Sequence, residues 1–172
     1  DWLAAEFIRN GWKLKELHKL IMTSAAYMQS SSVDEPRLLK DRENNLVWHF
    51  QSRRLEAETI RDSLLAVSGT LDATPFGPGT LEPNHKRRSI YFFVKRSKLI
   101  PMMMLFDAPD SLQDLAMRPS TTIAPQALLM MNSSIVRGYA DALAIKVLKD
   151  AGTGLEAQVN RAYQLVLSRN AK

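Results

Sequence analysis

Apolar residues recur at steps of three and four along most of this chain, and that spacing predicts helices. The clearest early stripe contains Leu14, Leu17 and Ile21 and continues to Met28. On a helix with 3.6 residues per turn, these positions share one face. Gly11 precedes the stripe at a place where the C-terminal cap of a shorter amphipathic helix is expected. The beginning of the chain is therefore predicted to be helical.

A second stripe predicts the most regular helix of the chain. Its apolar positions include Ile60, Leu64 and Val67, and Gly69 lies near its expected end. The residues that follow, 72–88, contain three prolines and two glycines. Such a density of helix-breaking residues predicts a long, exposed loop.

Residues 89–95 are the segment whose composition predicts a β-strand. Its alternation places Ile90, Phe92 and Val94 on one side and Tyr91, Phe93 and Lys95 on the other. Aromatic and β-branched residues are typical of strands. A lone strand leaves its backbone groups unpaired, so it needs a partner. The nearest candidate partner is the stretch at residues 79–81.

Three further helices are predicted in the last third of the chain. One follows the paired threonines at 121–122, which can act as N-caps, and has Pro125 in its first turn. A second begins at the fresh cap that residues 132–134 provide. The third opens on a capping box formed by Thr153 and Glu156.

Length and composition fit one globular domain over residues 1–172. The chain is 45% hydrophobic and 24% charged, which is enough apolar material for a core. The predicted fold class is mainly α: an irregular multi-helix domain with one short β element and the long loop at 72–88. No apolar run approaches the ~20 residues that span a bilayer. Because the chain opens on Asp1 rather than Met, we expect it to be a fragment of a larger multidomain protein.

Two features of the composition narrow the chemistry. The chain has no cysteine, which excludes disulfides, thiolate metal sites and cysteine nucleophiles. The net charge of +5 is concentrated between residues 84 and 98, which hold six lysines and arginines and no acidic residue. Removing those six from the 23 basic residues leaves 17 against 18 acidic ones. The positive charge is therefore local, and it predicts at most one patch for an anionic partner.

Five strings, in their order along the chain, resemble a planctomycete-specific domain of unknown function. They are DWLAAEFIRNGWKLKELHKLIMTSAAYMQSS, ENNLVWHFQSRRLEAETIRDSLLAVSG, RRSIYFFVKR, FDAPD and RPSTTIAPQALLMMNSSIV. In the proteins that this chain resembles, the domain is the C-terminal part and a cytochrome c domain lies upstream. The resemblance implies an extracytoplasmic, periplasm-like location and partners among the other domains of the same protein. The haem-attachment motif belongs to the upstream domain, so the resemblance brings no cofactor to this chain.

Most candidates for catalysis lie on the helix that the second stripe predicts. Glu58 and Asp62 are one turn apart, and such a carboxylate pair can serve acid/base chemistry if burial separates the two pKa values. Arg54 and Arg61 lie close by in sequence, and a charge network is the commoner outcome. We therefore favour no catalysis by this fragment alone. Glu58, Asp62, Arg61 and Asp107 remain candidates for part of a hydrolase or redox site that missing domains complete.

The basic segment at 86–98 supports a binding alternative. Its candidate ligand-binding residues are Arg87, Arg88, Tyr91, Phe93, Lys95 and Arg96. Cations that flank aromatic rings can hold an acidic polysaccharide or a nucleic acid. More commonly, such a pattern indicates a strand that buries one aromatic face and whose lysines protect its edge. A second copy of the chain, pairing with the edge at 89–95, is a further possible partner.

No metal site is predicted. Asp107, Asp110 and Asp114 lack the dense register of oxygen ligands and the turn glycine of a calcium loop. The main hypothesis is a non-catalytic helical module of an exported multidomain protein, with a role in assembly or in ligand presentation. It requires no cofactor.

Overall fold

The structure is a computed structural model, and it describes residues 1–95, 97–109 and 117–172. Helices dominate these residues and no sheet is present among them, which confirms the prediction of a mainly α protein. The contacts of the chain divide it into two compact units, Asp1–Arg53 and Arg54–Lys172. A single domain over the whole chain stays a prediction. Of the helices described, none combines the length and the apolarity that crossing a bilayer requires.

The first unit contains three short helices. They are α1 (Trp2–Arg9), α2 (Leu14–Met22) and α3 (Glu35–Lys40). Gly11 has φ +68°, a backbone conformation that glycine adopts without strain, and it lies in the turn between α1 and α2. The predicted stripe is too long, because α2 ends six residues before Met28. The hydroxyls of Thr23 and Ser24 donate to backbone carbonyls of α2 and so compete with continuation of the helix.

Within its described residues, the second unit contains five more helices and the main buried cluster. They are α4 (Ala57–Ser68), α5 (Pro101–Leu105), α6 (Ala124–Asn132), α7 (Ser134–Ala151) and α8 (Leu155–Leu167). The central element is α4, which packs against both α5 and α7, and α7 also packs against α6 and α8. Ala57, Ile100, Met103 and Phe106 form the main buried cluster. Leu65 on α4 has no exposed surface.

The ends of α4 and α6 show how well local signals set helix boundaries. The predicted end of α4 is confirmed: Gly69 follows its last residue with φ +75° and caps it in the left-handed conformation. The predicted cap of α6 is wrong, because Ile123 holds the N-cap position. Thr121 is used for a different contact, with Asp107.

Residues 89–95 do not form the predicted strand. Ser89–Tyr91 is a single 3₁₀ turn. An isolated bridge then joins Thr80 to this segment, at the position where the sequence placed a partner. The Thr80 N–H donates to the Tyr91 carbonyl at 2.9 Å, and the Phe93 N–H donates to the Thr80 carbonyl at 3.0 Å. The turn forms because side chains of α4 bind the backbone where the segment begins, which apolar alternation cannot reveal.

Candidate functional site

Arg61, one of the predicted catalytic candidates, is buried in contacts with the chain's own backbone. Its side chain projects from the middle of α4 and the residue is only 2% exposed. The guanidinium donates to the carbonyl of His85, to the carbonyl of Arg87 at 3.0 Å and to the hydroxyl of Ser89 at 3.2 Å. It also lies over the ring of Phe92, 4.5 Å from the centroid. Burial lowers the pKa of Arg61 below its ordinary value, yet a guanidinium stays charged in proteins.

Asp62 binds the same segment from the next position of α4. One of its oxygens accepts hydrogen bonds from both the N–H and the hydroxyl of Ser89, each at 2.7 Å. The Arg88 Nε atom lies 3.7 Å from the other oxygen. Because the first N–H groups of a helical turn lack partners within the turn, this carboxylate satisfies one of them. We refer to Arg61 and Asp62 together as the α4 clasp.

Glu58 pairs with an arginine that the sequence did not single out. The Arg118 Nη1 atom lies 2.8 Å from a carboxylate oxygen of Glu58 and 3.1 Å from one of Glu56. The hydrogen bond to Glu58 is the main reason that the pKa of Arg118 is raised. Glu58 therefore belongs to a partly exposed charge network.

Asp107 joins three stretches of the second unit. Its carboxylate accepts hydrogen bonds from the Thr121 N–H at 2.8 Å and from the Thr121 hydroxyl at 2.9 Å, and it pairs with Arg54 at 2.5 Å. The backbone hydrogen bond from Thr121 is the main cause that lowers the pKa of Asp107. Its φ of +61° lies in the left-handed region, which aspartate tolerates better than most residues. We refer to this carboxylate as the Asp107 staple.

Gln126 completes this connection, and the sequence reasoning missed it. The residue is 5% exposed. Its amide donates to the Leu105 carbonyl at 3.0 Å and to the Thr121 carbonyl at 3.1 Å, and it accepts from the Ile123 N–H at 3.3 Å. A glutamine three residues after a helix N-cap is a recognisable local signal. That signal predicts only the bond to Ile123, because the other two partners depend on the fold.

Replacing Gln126 with leucine should lower the free energy of unfolding by about 1–3 kcal/mol, because two partly buried carbonyls lose their donor. Urea denaturation followed by circular dichroism measures the change. Gln164→Leu is the matched control: Gln164 is exposed on α8, and its replacement should shift stability by less than about 0.5 kcal/mol. If the two variants changed the free energy of unfolding equally, the buried amide of Gln126 would contribute no more to stability than an exposed one.

Two of the predicted ligand-binding residues, Arg87 and Tyr91, contact each other. The guanidinium of Arg87 lies over the ring of Tyr91, 3.6 Å from the centroid. It donates to the carbonyls of Phe76 and of Pro78, the latter at 3.3 Å. The Tyr91 hydroxyl accepts from the Phe76 N–H at 2.7 Å. These side chains therefore hold the neighbouring loop while remaining partly exposed.

Other predicted binding residues are accessible. The Arg88 side chain is 62% exposed, Phe93 is 56% exposed, and Lys95 is exposed. Arg96 lies outside the described residues, as do the aspartates 110 and 114 of the rejected metal loop. Among the residues that are described, no three histidine, aspartate or glutamate side chains gather as metal ligands.

Two cavities border α4 on the side of the clasp. A charged groove of about 650 Å³ is lined by Glu58, Asp62, Arg88 and Arg118. An apolar pocket of about 250 Å³ shares part of this lining. Neither Arg61 nor Asp107 lines either cavity. The structure thus brings Glu58 and Asp62 to one groove but does not gather the four catalytic candidates there.

A third cavity lies where α4, α7 and α8 meet. It measures about 320 Å³, and its surface is almost entirely apolar. Its lining includes Leu55, Leu64, Val136, Leu143 and Val166. We refer to it as the α4–α7–α8 cleft.

Comparison with known proteins supplies a family but no described activity. The family model PSD1, described as "Protein of unknown function (DUF1553)", matches residues 1–172. No curated protein and no solved structure matches the chain. The match confirms the expected domain of unknown function over the whole chain.

Proposed function

We propose that this chain, which belongs to the PSD1 family, is a non-catalytic helical module that serves the assembly of a larger, exported protein. The bonding of the α4 clasp carries the proposal. Arg61 and Asp62 direct their hydrogen bonds to the segment between His85 and Ser89. A catalytic acid, base or anion-binding group must instead face a substrate. The clasp therefore supports a structural role for the polar residues of α4.

The staple supports the same interpretation. Asp107 bonds Thr121 and Arg54, and Gln126 bonds the end of α5. Asp107 lies in the FDAPD string, and Thr121 and Gln126 lie in the RPSTTIAPQALLMMNSSIV string, both of which carry the family resemblance. Hydrogen bonds of these side chains to other parts of the chain favour a role in maintaining the fold. A hydrolase or redox site shared with other domains has less support, because Asp107 and Asp62 line no common cavity among those described.

The α4–α7–α8 cleft provides a surface for assembly. Leu55 and Val166 at its wall are 53% and 51% exposed. Contiguous exposed apolar surface commonly marks sites where proteins bind one another. We propose that another domain of the same protein covers the cleft, with a second copy of the chain as the alternative occupant. The 89–95 edge is a weaker contact for a second copy, since Thr80 already pairs with it.

The test places a charge in the cleft. Val166→Glu should weaken association with the neighbouring domains, or with a second copy, by about tenfold or more, because a buried unpaired carboxylate is costly. Sedimentation velocity of the chain, alone and mixed with separately expressed neighbouring domains, measures this. Ile145→Glu is the control: Ile145 is 68% exposed on α7 and does not line the cleft. Unchanged association in both variants, or a turnover that Asp62→Asn abolishes, would contradict the proposal.

A further inference from the structure

The apolar pocket beside the groove has a floor that is part of the core. Ile100 and Met103 line it, and both are less than a tenth exposed. Phe92 also lines it and packs against the same buried cluster. The volume of about 250 Å³ is just below the ~300–1,000 Å³ of sites for drug-sized ligands. The pocket therefore suits a short apolar chain rather than a large ring system.

The side wall of the pocket is held in place by a close backbone approach. The ring of Phe93 lines the pocket and lies against Gly79. A Cβ atom at Gly79 would be only 3.1 Å from that ring and 3.1 Å from the Tyr91 carbonyl. Because Gly79 has no side chain, the ring of Phe93 can pack against the backbone there, beside the pocket. Such preorganisation reduces the entropy lost on binding.

The rim of the pocket is cationic. Lys95 and Lys98 both line it and are exposed, and the Lys98 N–H donates to the Lys95 carbonyl at 3.1 Å. Arg118 also lines the pocket, but its charge is balanced by Glu58 at 2.8 Å. Among the described residues that line the pocket, the positive charge without an acidic partner is therefore that of the two lysines.

From the apolar floor and the cationic rim, we propose that this pocket binds a short aliphatic carboxylic acid as its carboxylate. The chain lies against Ile100 and Met103, and the carboxylate meets Lys95 and Lys98. An alcohol of equal length gains the same burial without the charge interaction. An acidic polymer gains the charge interaction but has no chain to bury. This ligand site is additional to the assembly role and uses a different cavity.

Isothermal titration calorimetry of the full chain with butyrate, hexanoate and octanoate tests the apolar part. Affinity should rise about fourfold for each methylene group that is buried, until the pocket is full. Octanol tests the contribution of the charge. Octanoate should bind about fivefold more tightly than octanol, because an exposed ion pair contributes about this much near the upper end of its usual range.

Variants separate the two parts. Lys95→Gln combined with Lys98→Gln should remove the preference for octanoate over octanol while octanol still binds. Leu99→Trp, at a lining residue that is 41% exposed, should fill the pocket and weaken both ligands more than tenfold. Lys149→Gln, at an exposed position on α7, is the matched control and should change neither affinity. The double lysine variant alters exposed side chains only, so its fold should be unchanged by circular dichroism.

Several results would overturn the site. The first is the absence of a saturable heat with octanoate. The second is an affinity that does not depend on chain length, and the third is equal binding of octanol and octanoate. The site would also be contradicted if Lys149→Gln lost as much octanoate affinity as the double lysine variant. Heparin binding that the lysine variant weakens, with no octanoate binding, would identify the rim as a surface for acidic polymers instead. Val166→Glu should leave octanoate binding unchanged, so this inference and the assembly proposal fail independently.

Discussion

Replacing Arg61 with alanine is expected to lower the free energy of unfolding by about 3–5 kcal/mol, the usual cost of breaking a buried charged network. The substitution removes donors from two carbonyls and from the Ser89 hydroxyl, together with the cation–π contact to Phe92. It also leaves Asp62 without its buried neighbour. Urea denaturation measures the change, and hydrogen exchange at the Ser89 amide should accelerate because the turn at 89–91 loses its attachment.

Two further variants give this result its meaning. Arg61→Lys keeps the charge but lacks the planar fork that reaches several acceptors, so it should recover only part of the lost stability. Arg137→Ala, at an exposed position of α7, should stay within about 0.5 kcal/mol of the wild type. If Arg61→Ala resembled Arg137→Ala, the clasp would have no role in stability. If Arg61→Lys were fully stable, charge alone would explain the contribution.

The second large effect is expected for Asp107→Ala, which should cost about 2–4 kcal/mol near neutral pH. The change removes the acceptor for the Thr121 N–H and hydroxyl and leaves the Arg54 guanidinium without its carboxylate. Alanine also adopts the left-handed backbone at this position less readily than aspartate. Asp107→Asn keeps one acceptor oxygen and tolerates that backbone, so it should cost less. Equal stability of Asp107→Ala and the wild type would contradict a stapling role.

The carboxylate of Asp107 also predicts the direction in which the free energy of unfolding changes with pH. The folded state lowers the pKa of Asp107, chiefly because Thr121 donates its N–H to the carboxylate. The unfolded value is about 3.9. A lowered folded pKa means that the stabilisation is complete above the unfolded value and is lost as pH falls through the folded value.

The difference in unfolding free energy between wild type and Asp107→Asn should therefore be constant near neutral pH and shrink below about pH 4–5. Denaturation curves at a series of pH values measure this difference, in which the other acidic groups cancel to first order. A difference that stays constant down to strongly acidic pH would show that Asp107 does not supply the stabilising charge.

The site illustrates what can be read from neighbouring residues and what cannot. Glu58 and Asp62 were correctly placed on one helix, because a spacing of four residues puts them on one face. Their partners are distant: Ser89 is 27 residues from Asp62, and Arg118 is 60 residues from Glu58. The sequence does not indicate which distant donor a given carboxylate will bind. Whether these carboxylates have a structural role or face a substrate therefore depends on those distant partners.

The failure of the predicted strand has the same origin. Alternating aromatic and β-branched residues at 89–95 are typical of a strand, yet Ser89–Tyr91 is a 3₁₀ turn. Two α4 side chains bind the backbone of Arg87 and Ser89 and outweigh the local preference. The weak partner at residues 79–81 was correctly placed, since an extended segment with free backbone groups needs a neighbour.

By itself, the sequence determined the helical class, the regular helix at the centre of the chain with its glycine cap, and the local nature of the positive charge. These features depend on periodicity, capping and composition, which act over a few residues. Only the tertiary structure decided that Arg61, Asp62, Asp107 and Gln126 bind the protein's own loops, and that an apolar pocket opens beside exposed lysines. The reason is physical: a side chain's donors and acceptors are known from its type, but their partners are set by which distant segments pack together.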